Sequence, residues 1–430
     1  MRLTARSGRE RISVVETFEW FLGIDWASEV HALCLTDARG RVRGTRSVAH
    51  TAVAVDEAVR WLGEQTGTGP EAIAVAIETP RGVLVDTLIE RGFPVFAVNP
   101  KQLDRFRDRF SPAGAKDDAE DAHVLADALR TDRRAFRQVR PDHPLIIQLR
   151  DVTRLREDLL EEESRLTNRL RDQLYRVDAA WLTLSPAADE PWLWTMLAQA
   201  ADPAAWAHLA RRRIAAVLRA HRIRRLSADD VLHALRQPRL TVAPGVTDAV
   251  ATRITTVVQQ LQLVHDQRNT AEHHLDRLLA RLASMERPEG EASEHRDVEI
   301  LQSLPGVGRI VAATMLTDAT GPLADRDYAT LRAHAGAAPV TKRSGKRAVV
   351  HMRYACKGAL RQALYHWART SIQLDAAARA YYKALRARGH RHGRALRSVG
   401  DRWLRILIAM LKTRTLYDAT RFAQAEALPA

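Results

Sequence analysis

Cysteine is nearly absent: Cys34 and Cys356 are the only two in 430 residues, and neither sits in a CxxC pair or a Cys/His spacing. A disulfide framework and a structural zinc site are therefore excluded as organising devices, and a reducing cytoplasm is the expected compartment. The chain also lacks any run of about 18 apolar residues, the length that a membrane-spanning helix requires. Its opening, "MRLTARSGRERISVVETFEW", carries basic residues but no continuous apolar stretch followed by a small-residue cleavage site. Neither secretion nor membrane insertion is expected. What remains, 46% hydrophobic, reads as a soluble globular protein with room for two or three domains.

Acidic residues are scarce where basic ones are dense. Between Thr341 and Thr415, nineteen Lys and Arg face only Asp375 and Asp401, a local +17 in a chain of formal net charge +14, so the remainder sums to −3. Such a segment is a candidate for binding a polyanion. The opposite imbalance occurs in "GAKDDAEDAHVLAD", residues 114–127, where Asp117, Asp118, Glu120, Asp121 and Asp127 crowd together.

Periodicity divides the chain in three. Over residues 16–140, short apolar runs alternate with helical patterns. "FEWFLGIDWA" ends near Asp25, "VHALCLTD" and "GRVRGTRSVAH" flank the turn "DARG", and "AIAVAIE" ends at Glu78. "TAVAVDEAVRWLGEQTG", residues 81–91 and residues 101–110 have helical spacing, and "PVFAVN" reads as a strand. A three-strand meander followed by alternating helix and strand is the order of an α/β domain of the ribonuclease H type. Residues 141–290 read instead as a helical, coiled-coil-like arm. Residues 149–177 and 254–285 lack Gly and Pro and space Leu, Val and Ile among charges, which predicts long helices pairing with each other or with another chain. Shorter helices are expected over 178–240, and a plain helical bundle is the simpler alternative for the whole arm. A polar linker, residues 287–297, leads into a mostly helical third domain over 291–420. There, "LQSLPGVGRIVAATMLTDATG" sets Pro305, Gly306 and Gly308 between two helical stretches. That is the pattern of a helix-hairpin-helix, whose glycines let backbone N–H groups approach a phosphate, although a purely structural turn has the same composition.

On a helix, Asp118 and Asp121 share a face, being three residues apart. Two adjacent carboxylates repel unless a cation lies between them. A solvated acidic helix start would explain this pair alone. Asp25 and Glu78, each ending a strand, shift the balance, because four carboxylates at one edge of a sheet make an oxygen-rich site suited to Mg²⁺. Two such ions can hold the attacking and leaving oxygens of a phosphodiester. In the basic segment, Ser344 precedes Gly345 and is surrounded by Lys342, Arg343, Lys346 and Arg347. Its residues alone read as a Ser-Gly turn in a phosphate-binding loop, since no local His or Asp completes a hydrolase triad. Tyr354, Trp367, Tyr381, Tyr382 and Trp403 are able to stack on bases, but their apolar helical neighbours favour core packing for most of them. His390 and His392 lie among arginines, which favours a phosphate-facing surface over a metal site.

In order along the chain, "GIDWAS", "AIETP", "VNPKQLDRFR", "AGAKDDAEDAHVLADALRTD", "LPGVGRIVAATMLTD" and "APVTKRSGKR…CKGALRQAL" resemble the DEDD transposases of bacterial insertion sequences. That group includes the Piv-type DNA invertases and the bridge-RNA-guided recombinases, and the resemblance spans about residues 19 to 375. It implies a RuvC-like domain with its acidic quartet on Asp25, Glu78, Asp118 and Asp121, and Mg²⁺ as cofactor. It also implies a helical arm for subunit contacts and a transposase domain whose nucleophilic serine falls on Ser344, with Arg343, Lys346 and Arg347 binding phosphate beside it. Excision and insertion of DNA through a covalent serine–DNA intermediate, by a dimer or tetramer with composite active sites, would follow. A structured guide RNA is a further implied partner, and the bacterial cytoplasm and nucleoid the implied location. The chain departs from the family pattern in having "KRSGK" for a Ser-Ser-Gly-Gly-Lys-like stretch and Thr-Pro after Glu78 where Thr-Gly is common. Two other readings stay open. One is a metal-dependent nuclease of the Holliday-junction type with no covalent intermediate, and the other is a nucleic-acid binder that has lost its chemistry.

Overall fold

The computed structural model describes residues 18–109, 117–140, 142–238, 240–243, 245–284, 296–344 and 347–419, with backbone alone at 344, 347 and 348. The chain forms two compact units, Met1–Asp142 and His143–Ala430. The expected boundary after residue 140 falls beside the first division, whereas the one at 290/291 falls inside the second unit. Most of the linker expected over 287–297 lies outside the described residues.

The first unit is built on a mixed sheet. Strands β1 (Trp20–Asp25), β2 (Val30–Asp37) and β3 (Val42–Ala49) form an antiparallel meander. β4 (Ile73–Ile77) and β5 (Val95–Ala97) continue it in parallel, and the short β6 (Arg137–Gln138) closes antiparallel on β5, giving the order β3-β2-β1-β4-β5-β6. All five residues of the central β4, "IAVAI", are buried, as a strand covered on both faces requires. One face is covered by α1 (Ala52–Thr66) and α2 (Val83–Glu90), through residues such as Val55, Leu62, Val85 and Leu88. The other is covered by α3 (Pro100–Arg107) and α4 (Asp118–Asp132), through Leu103, Val124, Leu125 and Leu129. Local chemistry fixes the helix starts. Thr51, Asn99 and Asp117 each turn a side-chain oxygen onto a backbone N–H of the first turn, satisfying a donor that has no partner within the helix.

The second unit is largely helical. Its long elements are α5 (Pro144–Val177) and α10 (Val246–Ala283), between which lie α6 (Ala180–Leu184), α7 (Pro191–Gln199), α8 (Arg211–Ala220) and α9 (Ala228–Leu235). After them come α11 (Asp297–Ser303), α12 (Arg309–Asp318), α13 (Thr320–Ala324), α14 (Tyr328–His334), the hairpin β7 (Val340–Ser344) and β8 (Arg347–His351), then α15 (Gly358–Leu374), α16 (Ala376–Ala387) and α17 (His392–Thr413). The two long helices pack on each other antiparallel. At one end Leu166, Leu170 and Leu174 of α5 share a core with Val250, Ile254 and Val258 of α10 and with the tryptophans of the short helices. At the other, Leu145, Leu149 and Val152 meet Leu275, Leu278 and Leu279 inside the core that α11 to α17 build. The long helices are thus rooted in the C-terminal core. No described helix is long and apolar enough to cross a membrane.

Trp367 and Trp403 stack at 5.9 Å within this core, as core packing requires, whereas Tyr354 is 77% exposed. The turn between α11 and α12 docks on the same core. The Trp367 indole N–H donates to the carbonyl of Pro305 at 3.1 Å, and Gly306 adopts φ +86° against α15. A Cβ at Gly306 would lie 2.7 Å from the backbone nitrogen of Ser371, while Gly308 opens onto empty space. Positive φ and a backbone neighbour both disfavour any side chain there. Gly306→Ala is expected to lower the unfolding free energy by about 2–4 kcal/mol. Gly308→Ala should change it by less than about 0.5 kcal/mol. Urea unfolding followed by circular dichroism separates the two, and equal effects would contradict the packing role of Gly306.

Candidate functional site

The acidic residues gather by topology at one end of the first unit's sheet. β1 and β4 are parallel neighbours with Ile24 opposite Ile77, so Asp25 and Glu78 follow each other in register at the same edge. Side chains alternate along a strand. Asp25 falls in step with Phe21 and Gly23, and Glu78 with Ala74 and Ala76, on the face that α4 covers. The helix lies on β1 so closely that a Cβ on Gly23 would stand 1.8 Å from the carbonyl oxygen of Ala122. Its direction is fixed as well. Arg130, near the C-terminus of α4, lies against Gly40 in the β2–β3 turn, beside the Trp20–Asp37 end of the sheet. The N-terminus of α4, with Asp118 and Asp121, therefore lies toward the Asp25 end.

The acids that crowd the sequence have distinct environments. Asp117 caps α4, its carboxylate accepting from the Ala119 N–H at 3.1 Å. Asp118 is exposed, while Asp121 is 3% exposed. Negative charge in the first helical turn is favoured by the helix dipole. Asp121 has a stronger partner, because the Arg107 Nε–H donates to its Oδ1 at 2.6 Å. Arg107 also reaches Asp104 at 2.9 Å, and these carboxylates, Asp121 first, hold its pKa above the ordinary arginine value. Asp25 and Glu78 are half-buried. Among the described residues, no three His, Cys, Asp or Glu side chains are drawn together closely enough to hold a metal ion. The quartet shares one end of the sheet by placement without forming a closed ligand cluster.

Sequence reasoning gave Arg107 no role, although it ends the motif "VNPKQLDRFR". Its contact with Asp121 spans fourteen residues and depends on α3 and α4 packing side by side. A second unanticipated feature supports the loop after Asp25. The Ala27 N–H donates to Nδ1 of the fully buried His31 at 3.3 Å, His31 Nε2 lies 2.9 Å from His50 Nδ1, and the exposed Trp26 stacks on the His31 ring. Burial first, and then the neighbouring His50, push the His31 pKa below its ordinary 6.5.

In the second unit, Ser344 ends β7 and pairs in register with Arg347 at the start of β8, while Gly345, the other half of the expected Ser-Gly turn, lies outside the described residues. Arg343 is exposed on β7, and Lys346 lies outside the described residues. Gly308 immediately precedes α12, whose Arg309 pairs with Glu272 and Asp276 of α10. His392 is exposed and its Nδ1 lies 2.8 Å from the Tyr382 hydroxyl.

Removing Arg107 strands a buried carboxylate. Arg107→Ala is expected to cost about 3 kcal/mol of stability, and clearly less in an Asp121→Asn background. A double-mutant cycle by urea unfolding measures this, and additive losses would refute the coupling. For His31, the lowered pKa means that the unfolded chain binds more protons once pH falls below about 6.5. Its contribution to stability is complete above that pH and declines as pH falls through the lowered native value. Unfolding free energies measured from pH 7.5 to 5 should slope downward, and His31→Gln should flatten the slope.

Comparison with known proteins places two family models along the chain. Residues 22–177 match the DEDD transposase family model of the IS110 type, described as "Transposase". Residues 298–383 match the model described as "Transposase IS116/IS110/IS902 family". A Streptomyces coelicolor protein named as a transposase of the IS117 mini-circle is 30% identical over 93% of this chain and 96% of its own length. The IS110 43.6 kDa protein of the same organism is 31% identical over 72% of this chain and 73% of its own. The Sinorhizobium fredii protein y4uE, also named as a transposase, is 48% identical over 48% of this chain and 58% of its own length, less than two thirds of it. With one relative matched almost end to end and the two models falling in order along the chain, the first on the sheet unit and α5 and the second in the C-terminal core, the chain belongs to the IS110/IS116 family of insertion-sequence DEDD transposases, a family of enzymes.

Proposed function

We propose that the protein is a DNA recombinase that moves an insertion sequence by cutting and rejoining DNA, with an acidic quartet in a RuvC-like domain and a serine nucleophile on the C-terminal hairpin. The observation that carries this reading is the placement of Asp25, Glu78 and the start of α4 at one end of a sheet ordered β3-β2-β1-β4-β5-β6. A three-strand meander continued by parallel strands is the arrangement of ribonuclease H-type domains.

The residues present fit a divalent cation. The donors are all carboxylate oxygens, the ligands that Mg²⁺ prefers; Arg107 engages Oδ1 of Asp121, so its Oδ2 would be the oxygen offered to a metal. Asp25, Glu78, Asp118 and Asp121 would hold the metal, which when bound supplies charge neutralisation to a phosphodiester. Exposed Asp118 offers a ligand without desolvation, and buried Asp121 is oriented by Arg107. Ser344 is assigned the nucleophile. Its hydroxyl loses a proton as Oγ bonds to phosphorus, the bond from phosphorus to the adjoining deoxyribose oxygen breaks, and that oxygen takes up a proton and leaves as a free hydroxyl. The hydroxyl of a new strand then reverses the exchange and frees the serine. Arg343, Lys346 and Arg347 bind phosphate beside it, where cations offset the charge of the reacting group. In the α11–α12 turn, taken as a helix-hairpin-helix, Gly306 shapes the bend and Gly308 leaves the start of α12 open to a backbone phosphate. The long helices serve subunit contacts in a dimer or tetramer, a structured RNA selects the DNA, and the protein works in the bacterial cytoplasm at the nucleoid.

Covalent trapping tests the chemistry. Purified protein is incubated with Mg²⁺, element-end DNA and RNA from the flanking region, then denatured and examined for DNA attached to protein. Wild type should form an adduct that Ser344→Ala abolishes and Asp118→Ala reduces at least 100-fold. Cutting without an adduct, equally fast in Ser344→Ala, would replace this reading with a metal-dependent nuclease.

A further inference from the structure

A cavity of about 320 Å³ lies in the second unit beside the hairpin, walled by α14, the 336–339 loop, the end of β8 with the residues after it, and one face of α17. Four arginines line it: Arg332, Arg353, Arg394 and Arg397. Its one carboxylate, Asp401, is already engaged, accepting from Arg332 Nε at 2.7 Å and from the Tyr328 hydroxyl at 2.8 Å. Among the described residues, no carboxylate pairs with the other three. Arg353 Nε donates to the carbonyl of Ala338 at 3.2 Å, which leaves its charge uncompensated. Arg397, half-buried, lies with Nη1 2.8 Å from the Met352 sulfur, a weak acceptor. Guanidinium groups do not deprotonate, so half-buried Arg353 and Arg397, with exposed Arg394 beside them, make the cavity a favourable place for an anion. The volume is at the small end for ligand pockets and suits a single nucleotide unit rather than a larger molecule.

Position narrows the ligand. β8 enters the cavity wall at its far end, where His351 pairs with Val340, while Ser344 pairs with Arg347 at the hairpin tip. Four residues of strand separate the two ends, roughly 13 Å, a reach of only a few phosphates along one DNA strand. We propose that this cavity receives one backbone phosphate, with its sugar, of the DNA strand on which Ser344 acts. Arg394 and Arg397 hold the phosphate, with Arg353 beside them, a few nucleotides from the attacked phosphodiester. The proposal rests on the recombinase reading above. It adds a separate clamp that sets how the strand lies along the hairpin.

The test uses full-length Ser344→Ala protein, which leaves DNA uncut, with flanking RNA and an element-end duplex whose phosphates are replaced one at a time by uncharged methylphosphonate. Affinity should drop about tenfold at one position or two adjacent ones attributable to the cavity. Adding Arg397→Gln, or separately the exposed Arg394→Gln, should weaken the unmodified duplex by a similar factor and abolish sensitivity at that position alone. Arg212→Gln, an exposed arginine on α8, should leave the whole profile unchanged. Each arginine variant is first checked for an unaltered unfolding midpoint. If both variants keep full sensitivity at every position, the cavity holds no DNA phosphate and the proposal falls. It also falls if they lose binding of free dAMP or of the RNA while the DNA profile persists. Because the parent already lacks the serine, failure of adduct formation does not affect this outcome. Absence of any DNA binding would overturn the clamp and the recombinase reading together.

Discussion

The first unit is organised around a contact that a single methyl group would destroy. Gly23, in the middle of β1, receives the backbone of α4 at Ala122 and Ala126. A helix normally rides about 10 Å above a sheet on a cushion of side chains. Here the absence of a Cβ, together with Ala74 and Ala76 on the neighbouring β4 and Ala122 and Ala126 on the helix, lets the two backbones meet. That closeness brings a helix terminus down to the level of the strand ends. Carboxylates on α4 then share a region with Asp25 and Glu78 instead of standing a layer above them. The small residues of "FLGID", "IAVAI" and "DAEDAHVLADA" are one device spread over three segments.

In the second unit the corresponding constraint is the antiparallel pair α5 and α10. Leucines bury its two ends in different cores, and its middle is polar. Glu163 pairs with Arg268 at 2.8 Å, while Glu272 takes Arg156 and Arg268 from this pair and Arg309 from α12. Half-buried ion pairs of this kind add little net stability, because desolvation offsets most of the attraction. They do specify register. A slip of α5 along α10 would leave the buried Glu163 without Arg268 and take Arg156 from Glu272, which is more costly than the pairs are stabilising. Arg309 extends the same constraint into the C-terminal core, so the helix that follows Gly308 is tied to the long pair.

Much of this was legible in the sequence, where signals are local. The strands ending at Asp25 and next to Glu78, the long helices and the buried roles of Trp367 and Trp403 follow from alternation, heptad-like spacing and apolar neighbours. Features created by distant contacts were not legible. The division at 290/291 looked natural because the intervening segment is polar, yet Leu149 and Leu275 belong to the same core as Leu404. The hairpin β7–β8 is hard to read because four Lys and Arg separate the β-branched pairs Val340–Thr341 and Val349–Val350, and its two strands form a sheet of their own. Arg107 resembled its basic neighbours on α3, and only tertiary packing distinguishes it from Arg105.

The acidic stretch that contrasts with the basic chain resolves into unlike tasks once the helix forms. Asp117 is spent on the helix start, and Asp127 turns to Arg130 at 2.5 Å. Asp121 is buried against Arg107, leaving Asp118 and Glu120 as the more open members of the group. Crowding by sequence is therefore not crowding by charge, since the carboxylates with the least solvent are those given cations. The same rule applied to the C-terminal core gives the opposite result. Arg332 has Asp401, but the arginines across the cavity from it have only a carbonyl and a thioether. Buried carboxylates are thus neutralised within the chain, whereas the half-buried arginines of the cavity keep a positive charge available to an anion from outside it.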